Sequence, residues 1–406
     1  MLASVAARVN RARSNVVAID VCRLVESDVV VDLAQGICRI PSPLGGEKPL
    51  AVYVARRLRE LGFEVELQDV VQDRPNVVAI RRGNPAYKSF MFNGHLDIPE
   101  PFGEWSHDPY DPWIAGDLLF GGGLQDMKGG VASLIAGAAA AAQVDPEANG
   151  DVIVTVVMHH DTTGVGTKFF LEQNAWRIDA GICGEPTDLK VQLFHGGAWA
   201  WEMTTSGVPR HQSRLEEGVN AITGMMEILR RFTPEALTFE PDGRYPHLPR
   251  AVVGMISGGA FTSMTAESCV ARGDVRYLPS MTVDGMKADV RRIIADVCAE
   301  TPGLSGDVRT FAHQWPYEIP VNDPVVQSLI AAHAEVVGTA PEVTSGLPSG
   351  AFITDAADMI RHGIPTALYG PGDWNTIPDE SIPISDLVTA AQVYAQLCTG
   401  IISQPR

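Results

Sequence analysis

Cysteine is scarce and scattered in this chain: Cys22, Cys38, Cys183, Cys269, Cys298 and Cys398 include no Cys-x-x-Cys pair. That excludes a disulfide framework and a zinc ribbon, and it predicts reduced thiols in the cytoplasm. Basic charge is short as well. Against 49 acidic residues stand 31 lysines and arginines, a formal net charge of −18. A surface of that sign repels nucleic acid and anionic membrane, so a small molecule is the expected partner. No stretch approaches the ~18 consecutive apolar residues of a membrane-spanning helix. Met1 to Asp20 carries Arg8, Arg11 and Arg13 without a continuous apolar run, so no secretion signal is expected either. A Gly-x-Ser-x-Gly elbow, a Walker loop and a strand-linked Gly-x-Gly-x-x-Gly are all missing, which removes the common serine-hydrolase and nucleotide-binding readings.

What remains is an ordinary globular composition, 45% hydrophobic and 20% charged over 406 residues, long enough that two domains are the default. Helical apolar spacing runs from Val29 to Ile37, from Leu50 to Leu61 and from Val131 to Ala142, with Gly62 as a stop. Strands are predicted at Phe63 to Leu67, Asn76 to Ile80, Ser89 to Asn93, Val152 to Met158 and Ala180 to Cys183. Helices alternating with apolar strands indicate an α/β sheet, in which ligands gather at the carboxyl ends of strands. Past about residue 193 the texture changes to strands at Trp199 to Thr205 and Ser268 to Tyr277, with helices at Asn220 to Phe232 and Met286 to Cys298. This reads as a separate insert. The expected organisation is a first catalytic part over 1–193, an inserted domain over 194–310 and a second catalytic part over 311–406.

Four segments carry the chemistry: Asn93-Gly94-His95-Leu96-Asp97, Asp126-Met127-Lys128-Gly129-Gly130, His159-His160-Asp161 and Gly184-Glu185-Pro186-Thr187. Three of them follow an apolar strand, and together they offer the imidazole and carboxylate donors that a divalent cation takes. In this order and spacing they resemble the metallopeptidase and amidohydrolase family of aminoacylase, acetylornithine deacetylase, succinyl-diaminopimelate desuccinylase and carboxypeptidase G. The resemblance runs from the Leu50 helix to Pro378-Asp379-Glu380. It implies a phosphorylase/hydrolase-like α/β domain with a mixed sheet, plus an inserted α+β, ferredoxin-like, lid and dimerisation domain. It also implies a homodimer. By the same resemblance His95 is a metal ligand, Asp97 orients it, Asp126 is the bridging carboxylate and Glu185 completes the His95 half-site. His211 matches the lid histidine that polarises the scissile carbonyl across the dimer. Arg276 matches the arginine that grips a substrate carboxylate, a task suited to a planar fork of donors. Gly346 to Asp355 matches a glycine-rich loop near the substrate, while His195 and His362 are read as structural.

The other half-site departs from the pattern. Where the family has two adjacent glutamates, a general base and a ligand of the second metal, a gapless alignment places His160 and Asp161; a one-residue gap would place Thr162 and Thr163 there instead. Imidazole can serve as a base because its reference pKa lies near 6.5. The terminal ligand histidine is absent from Asp373 to Glu380, and Asn375 or Thr376 stands in its place facing the substrate. The expectation is therefore one divalent ion per chain, zinc foremost, with manganese or cobalt as alternatives. The expected reaction is attack on an amide or related bond of a carboxylate-bearing small molecule such as an N-acyl amino acid or dipeptide. A non-hydrolytic biosynthetic enzyme (cyclisation, condensation, elimination or isomerisation) and a binding pseudoenzyme remain as alternatives.

Overall fold

The computed structural model describes residues 20–344 and 351–406, and the side chains of Asp161 and Thr162 lie outside that description. The N-terminal arginines and the first part of the 346–355 loop therefore fall outside the described residues. The architecture is mixed α/β. Eight strands form the main sheet in the order Glu64–Val71, Arg74–Arg81, Val152–Val157, Phe90–His95, Ala180–Cys183, Thr366–Leu368, Val191–Gln192, Val343–Thr344. The three at its centre, Val152–Val157, Phe90–His95 and Ala180–Cys183, run parallel to one another. All three are buried at every position, as strands covered on both faces must be.

Helices bury these faces. The helix Gly129–Ala141 is apolar nearly all round and packs along the C-terminal helix Ile384–Ile402, the arrangement expected of a helix inside a core. Its first turn comes close to the site: a Cβ added at Gly130 would stand 2.2 Å from the Gly184 carbonyl oxygen. Only glycine permits that approach.

A second, four-stranded antiparallel sheet, ordered Arg250–Gly258, Ser268–Tyr277, Gly197–Ser206, Ser305–Gln314, carries the helices Ala221–Arg231 and Val283–Glu300. Along the chain the order is βαββαβ, the ferredoxin-like arrangement. It has its own hydrophobic cluster around Trp199, Trp201, Met225, Tyr277 and Val290. Its last strand reaches Gln314, past the expected boundary at residue 310. The inward-facing positions of Ser305–Gln314 include Gly306, Thr310 and Gln314 while Phe311 points outward, so this strand carries a weak sequence signal. The Arg250–Gly258 strand is exposed along nearly its whole length. Among the described residues no helix is long and apolar enough to cross a membrane.

Candidate metal centre

Three neighbouring parallel strands end at the same edge, and each hands over one candidate ligand. His95 is the last residue of Phe90–His95, His160 follows Val152–Val157 after two residues, and Glu185 follows Ala180–Cys183 after one. The fourth member, Asp126, arrives from the Leu124–Lys128 turn, where Gly123 adopts a left-handed φ of 78° and the Asp126–Met127 peptide is cis. His95 Nε2 lies 3.2 Å from Asp126 Oδ1 and 3.6 Å from Glu185 Oε1. His160 Nε2 lies 3.7 Å from the same Glu185 oxygen. The two imidazoles stack with centroids 4.5 Å apart and planes 8° from parallel. His95, His160 and Glu185 are all buried, with one donor atom from each within 4.8 Å of the others.

Hydrogen bonds select the tautomers. His95 Nδ1 is 2.9 Å from the Asp97 main-chain carbonyl, which can only accept, so Nδ1 holds a proton and Nε2 is the nitrogen that faces the carboxylates. The sequence reading placed the Asp97 carboxylate on that nitrogen. In the structure one of its oxygens instead accepts the His160 amide N–H at 2.9 Å, because the turn carries the side chain over toward the neighbouring strand end. On His160 the partner is Asp355, whose Oδ1 is 3.0 Å from Nδ1, a contact close enough for an ion pair though not aligned as a hydrogen bond. Gln314 donates to the His160 carbonyl at 2.9 Å, so both main-chain polar groups of His160 are clamped by side chains from elsewhere.

Burial and charge act against each other here. Burial disfavours the His95 imidazolium, but Glu185 and Asp126 outweigh it and raise its pKa well above the ordinary value. His160 is pushed up to about 10: burial opposes the charge, and Asp355 overcomes it. Burial raises the Glu185 pKa although both histidines pull it down. For Asp126 and Asp355 the histidines overcome burial and hold the carboxylates below their usual range.

A cation fits this donor set. Both oxygens of Glu185 are buried without a hydrogen-bond partner, only the two imidazole nitrogens stand near one of them, and a buried carboxylate is costly unless positive charge compensates it. Two imidazole nitrogens face the oxygen that would bind the ion.

The remaining candidates lie around the centre. Arg276 lines a cavity of about 660 Å³ at the second sheet with Arg250, Phe311, Gln314 and Ile353, and its Nε donates to Asp274 at 2.8 Å. Thr376 lines a smaller pocket that includes Asp126 and Glu380, while Asn375 is exposed on the same turn. His211 is exposed on a loop, where its Nδ1 accepts from the Ser213 amide at 3.2 Å; it is not part of the buried cluster. The Asp161 side chain lies outside the described residues. His195 is buried, with Nδ1 donating to the Gly196 carbonyl at 2.7 Å and Nε2 accepting from the Thr354 amide at 3.1 Å. His362 donates to the Asp358 carbonyl at 2.8 Å.

Asp355 is the site residue that motif reading passed over. It opens the helix Ala356–Arg361 yet makes no capping bond, and its carboxylate turns to His160 instead. A Thr-Asp pair before a helix ordinarily reads as a cap, so its only distinguishing signal was its place in the loop expected near the substrate.

The chain is similar to known proteins in sequence and in fold. The model of Peptidase family M20/M25/M40 matches residues 91–399, and the chain belongs to that family of metal-dependent hydrolases. It is 26% identical over 387 residues to the N-formyl-4-amino-5-aminomethyl-2-methylpyrimidine deformylase of Bacillus subtilis (strain 168), covering 86% of this chain and 88% of the relative. It is 28% identical over 361 residues to the acetylornithine deacetylase of Erwinia tasmaniensis, covering 84% and 88%. In fold it resembles a dipeptidase from Saccharomyces cerevisiae, with a TM-score of 0.77 at 13% identity over 95% of this chain and 99% of that one. Human carnosine dipeptidase 1 is similar in fold too, with a TM-score of 0.74 at 15% identity over 94% and 98%. These relatives are hydrolases by name, and none favours the non-hydrolytic or pseudoenzyme alternatives.

Proposed function

We propose that this chain is a metal-dependent amidohydrolase that cleaves an amide bond of a carboxylate-bearing small molecule, of the N-acyl amino acid or dipeptide kind. The observation that carries the reading is the buried Glu185 carboxylate, unpartnered at both oxygens and faced by imidazole nitrogen. His95, Asp126 and Glu185 would hold one divalent ion, zinc foremost. When bound, such an ion supplies Lewis acidity and lowers the pKa of a coordinated water.

The chain's own residues supply position and selectivity. The Asp97 carbonyl sets the His95 ring, and the Asp97 carboxylate sets the His160 main chain. Arg276, in the wall of the large cavity, takes the substrate carboxylate, with Thr376 and Asn375 at the opposite turn. Gln314 belongs both to that cavity and to the His160 clamp, so a substrate held by Arg276 extends toward the metal centre.

The insert serves as lid and dimerisation domain, and the working form is a homodimer. The Arg250–Gly258 strand supports this: it is a sheet edge that exposes Val252, Val253, Met255 and Ile256, and such an edge pairs readily with another strand. Across that boundary His211 would reach the partner's substrate carbonyl. All six cysteines are unpaired, which fits a reducing cytoplasm. The test is a metal count joined to a screen of N-acyl amino acids and dipeptides. Turnover abolished by a chelator and restored by zinc is expected; a metal-loaded protein that hydrolyses none of these compounds refutes the reading.

A further inference from the structure

We propose that His160 is a ligand of the ion, so that the centre is a two-imidazole, two-carboxylate site formed by His95, His160, Glu185 and Asp126. This rests on the metal-dependent reading above, and it replaces the proton-transfer role expected for His160 from the alignment.

Geometry carries the assignment. Zinc–nitrogen and zinc–oxygen bonds of about 2.0–2.2 Å in a tetrahedron require donor atoms about 3.3–3.6 Å apart. The Nε2 atoms of His95 and His160 lie 3.6 Å and 3.7 Å from one Glu185 oxygen, and Asp126 Oδ1 lies 3.2 Å from His95 Nε2. The His95, His160 and Glu185 donors thus already have nearly the spacing an ion needs, and Asp126 joins them through its contact with His95. Because the two rings are parallel and stacked, their Nε2 lone pairs are presented side by side.

Each histidine has its other nitrogen facing an oxygen, hydrogen-bonded to the Asp97 carbonyl in His95 and at ion-pair distance from the Asp355 carboxylate in His160. The second is a carboxylate–histidine–metal arrangement, in which the carboxylate fixes the tautomer and raises ligand basicity. A general base has a different requirement, namely one ring nitrogen open toward the water or substrate it deprotonates. His160 has none to spare: Nδ1 faces Asp355, Nε2 faces the Glu185 oxygen shared with His95, and its side chain is only 4% exposed. Clamps on its amide and carbonyl by Asp97 and Gln314 fix the ring in place, as a ligand demands. Two imidazoles also set the class of ion, favouring zinc or cobalt(II) over magnesium and manganese.

The test is the proton NMR spectrum of the cobalt(II)-loaded full-length protein. Each coordinated histidine contributes one exchangeable, strongly shifted Nδ1–H resonance, so two are expected, and both should vanish in D2O. His160→Ala should leave one resonance and weaken zinc binding at least 100-fold. Asp355→Asn should keep both resonances and weaken zinc 10- to 100-fold, in the range expected when an outer partner of a ligand is removed. A wild-type protein that binds one cobalt ion but shows a single resonance overturns the His160 assignment alone. If wild type binds no ion, the metal-dependent reading fails, and this assignment fails with it. Since wild type alone supplies the count, a variant that does not fold leaves the test intact.

Discussion

Acidification should destabilise this protein through His195, and the size of the effect can be worked from its surroundings. The ring is fully buried; Nδ1 donates to the Gly196 carbonyl and Nε2 accepts from the amide and hydroxyl of Thr354. Protonating Nε2 would set a donor against the Thr354 amide, which cannot accept. Burial accordingly depresses the pKa to about 3, with Arg276 and His160 adding repulsion. An unfolded histidine titrates near 6.5, so below that pH the unfolded chain binds the extra proton and the folded chain does not. The contribution is therefore complete above about pH 6.5 and is lost as the pH falls from there toward 3. At pH 5, about 1.5 pH units below the unfolded value, the loss at 1.36 kcal/mol per unit is about 2 kcal/mol. Thr354 immediately precedes Asp355, so the same protonation loosens the residue that orients His160. The assay is urea unfolding of wild type and His195→Gln, each at pH 7.5 and pH 5.0. Glutamine does not titrate, and wild type should lose about 2 kcal/mol more than the variant between the two pH values. Equal losses in both proteins would refute the argument, since other titrating groups contribute equally to each.

Asp126→Ala should lower the metal content from one ion per chain to near zero in elemental analysis of dialysed protein; retention of the ion would remove Asp126 from the ligand set. Arg276→Ala should reduce kcat/KM on carboxylate-bearing substrates about 10- to 100-fold, the loss of one hydrogen-bonded charge pair at roughly 1.5–3 kcal/mol. Substrates with the carboxylate amidated should be little affected, and an equal loss on both would count against a clamp. A charge on the exposed edge, as in Val253→Glu, should convert the homodimer to monomer in sedimentation at micromolar concentration. A monomeric wild type would instead remove the dimer from the proposal.

Much of the fold was legible because it rests on local pattern. The apolar runs at Val152–Val157 and Ala180–Cys183 could be nothing but buried strands or short core helices, and the alternation of helix and strand implied an α/β sheet. The weaker strands Arg250–Gly258 and Ser305–Gln314 were not, because one is exposed along most of its length and the other turns Gly306, Thr310 and Gln314 inward and Phe311 outward. Arg250–Gly258 is held by the next strand, Ser268–Tyr277, and Ser305–Gln314 by Gly197–Ser206 about a hundred residues earlier, a pairing that no local period records. His195 was read as structural, and its bonds to Thr354 say what it holds.

The sequence by itself determined which donors are present. His95, Asp126, Glu185 and His160 stand in motifs whose order points to a metal hydrolase, and the missing histidine between Asp373 and Glu380 marks the departure from the family. Tertiary structure alone decided how those donors face one another. Three strands distant in sequence lie side by side and parallel, so their ends deliver His160, His95 and Glu185 to one point. Asp355 reaches His160 across a separation of 195 residues, and the Asp97 carbonyl, not its carboxylate, takes His95 Nδ1. A motif specifies a residue type, but a ring's tautomer and direction depend on what lies against its second nitrogen, and that neighbour is chosen by the packing of the whole sheet.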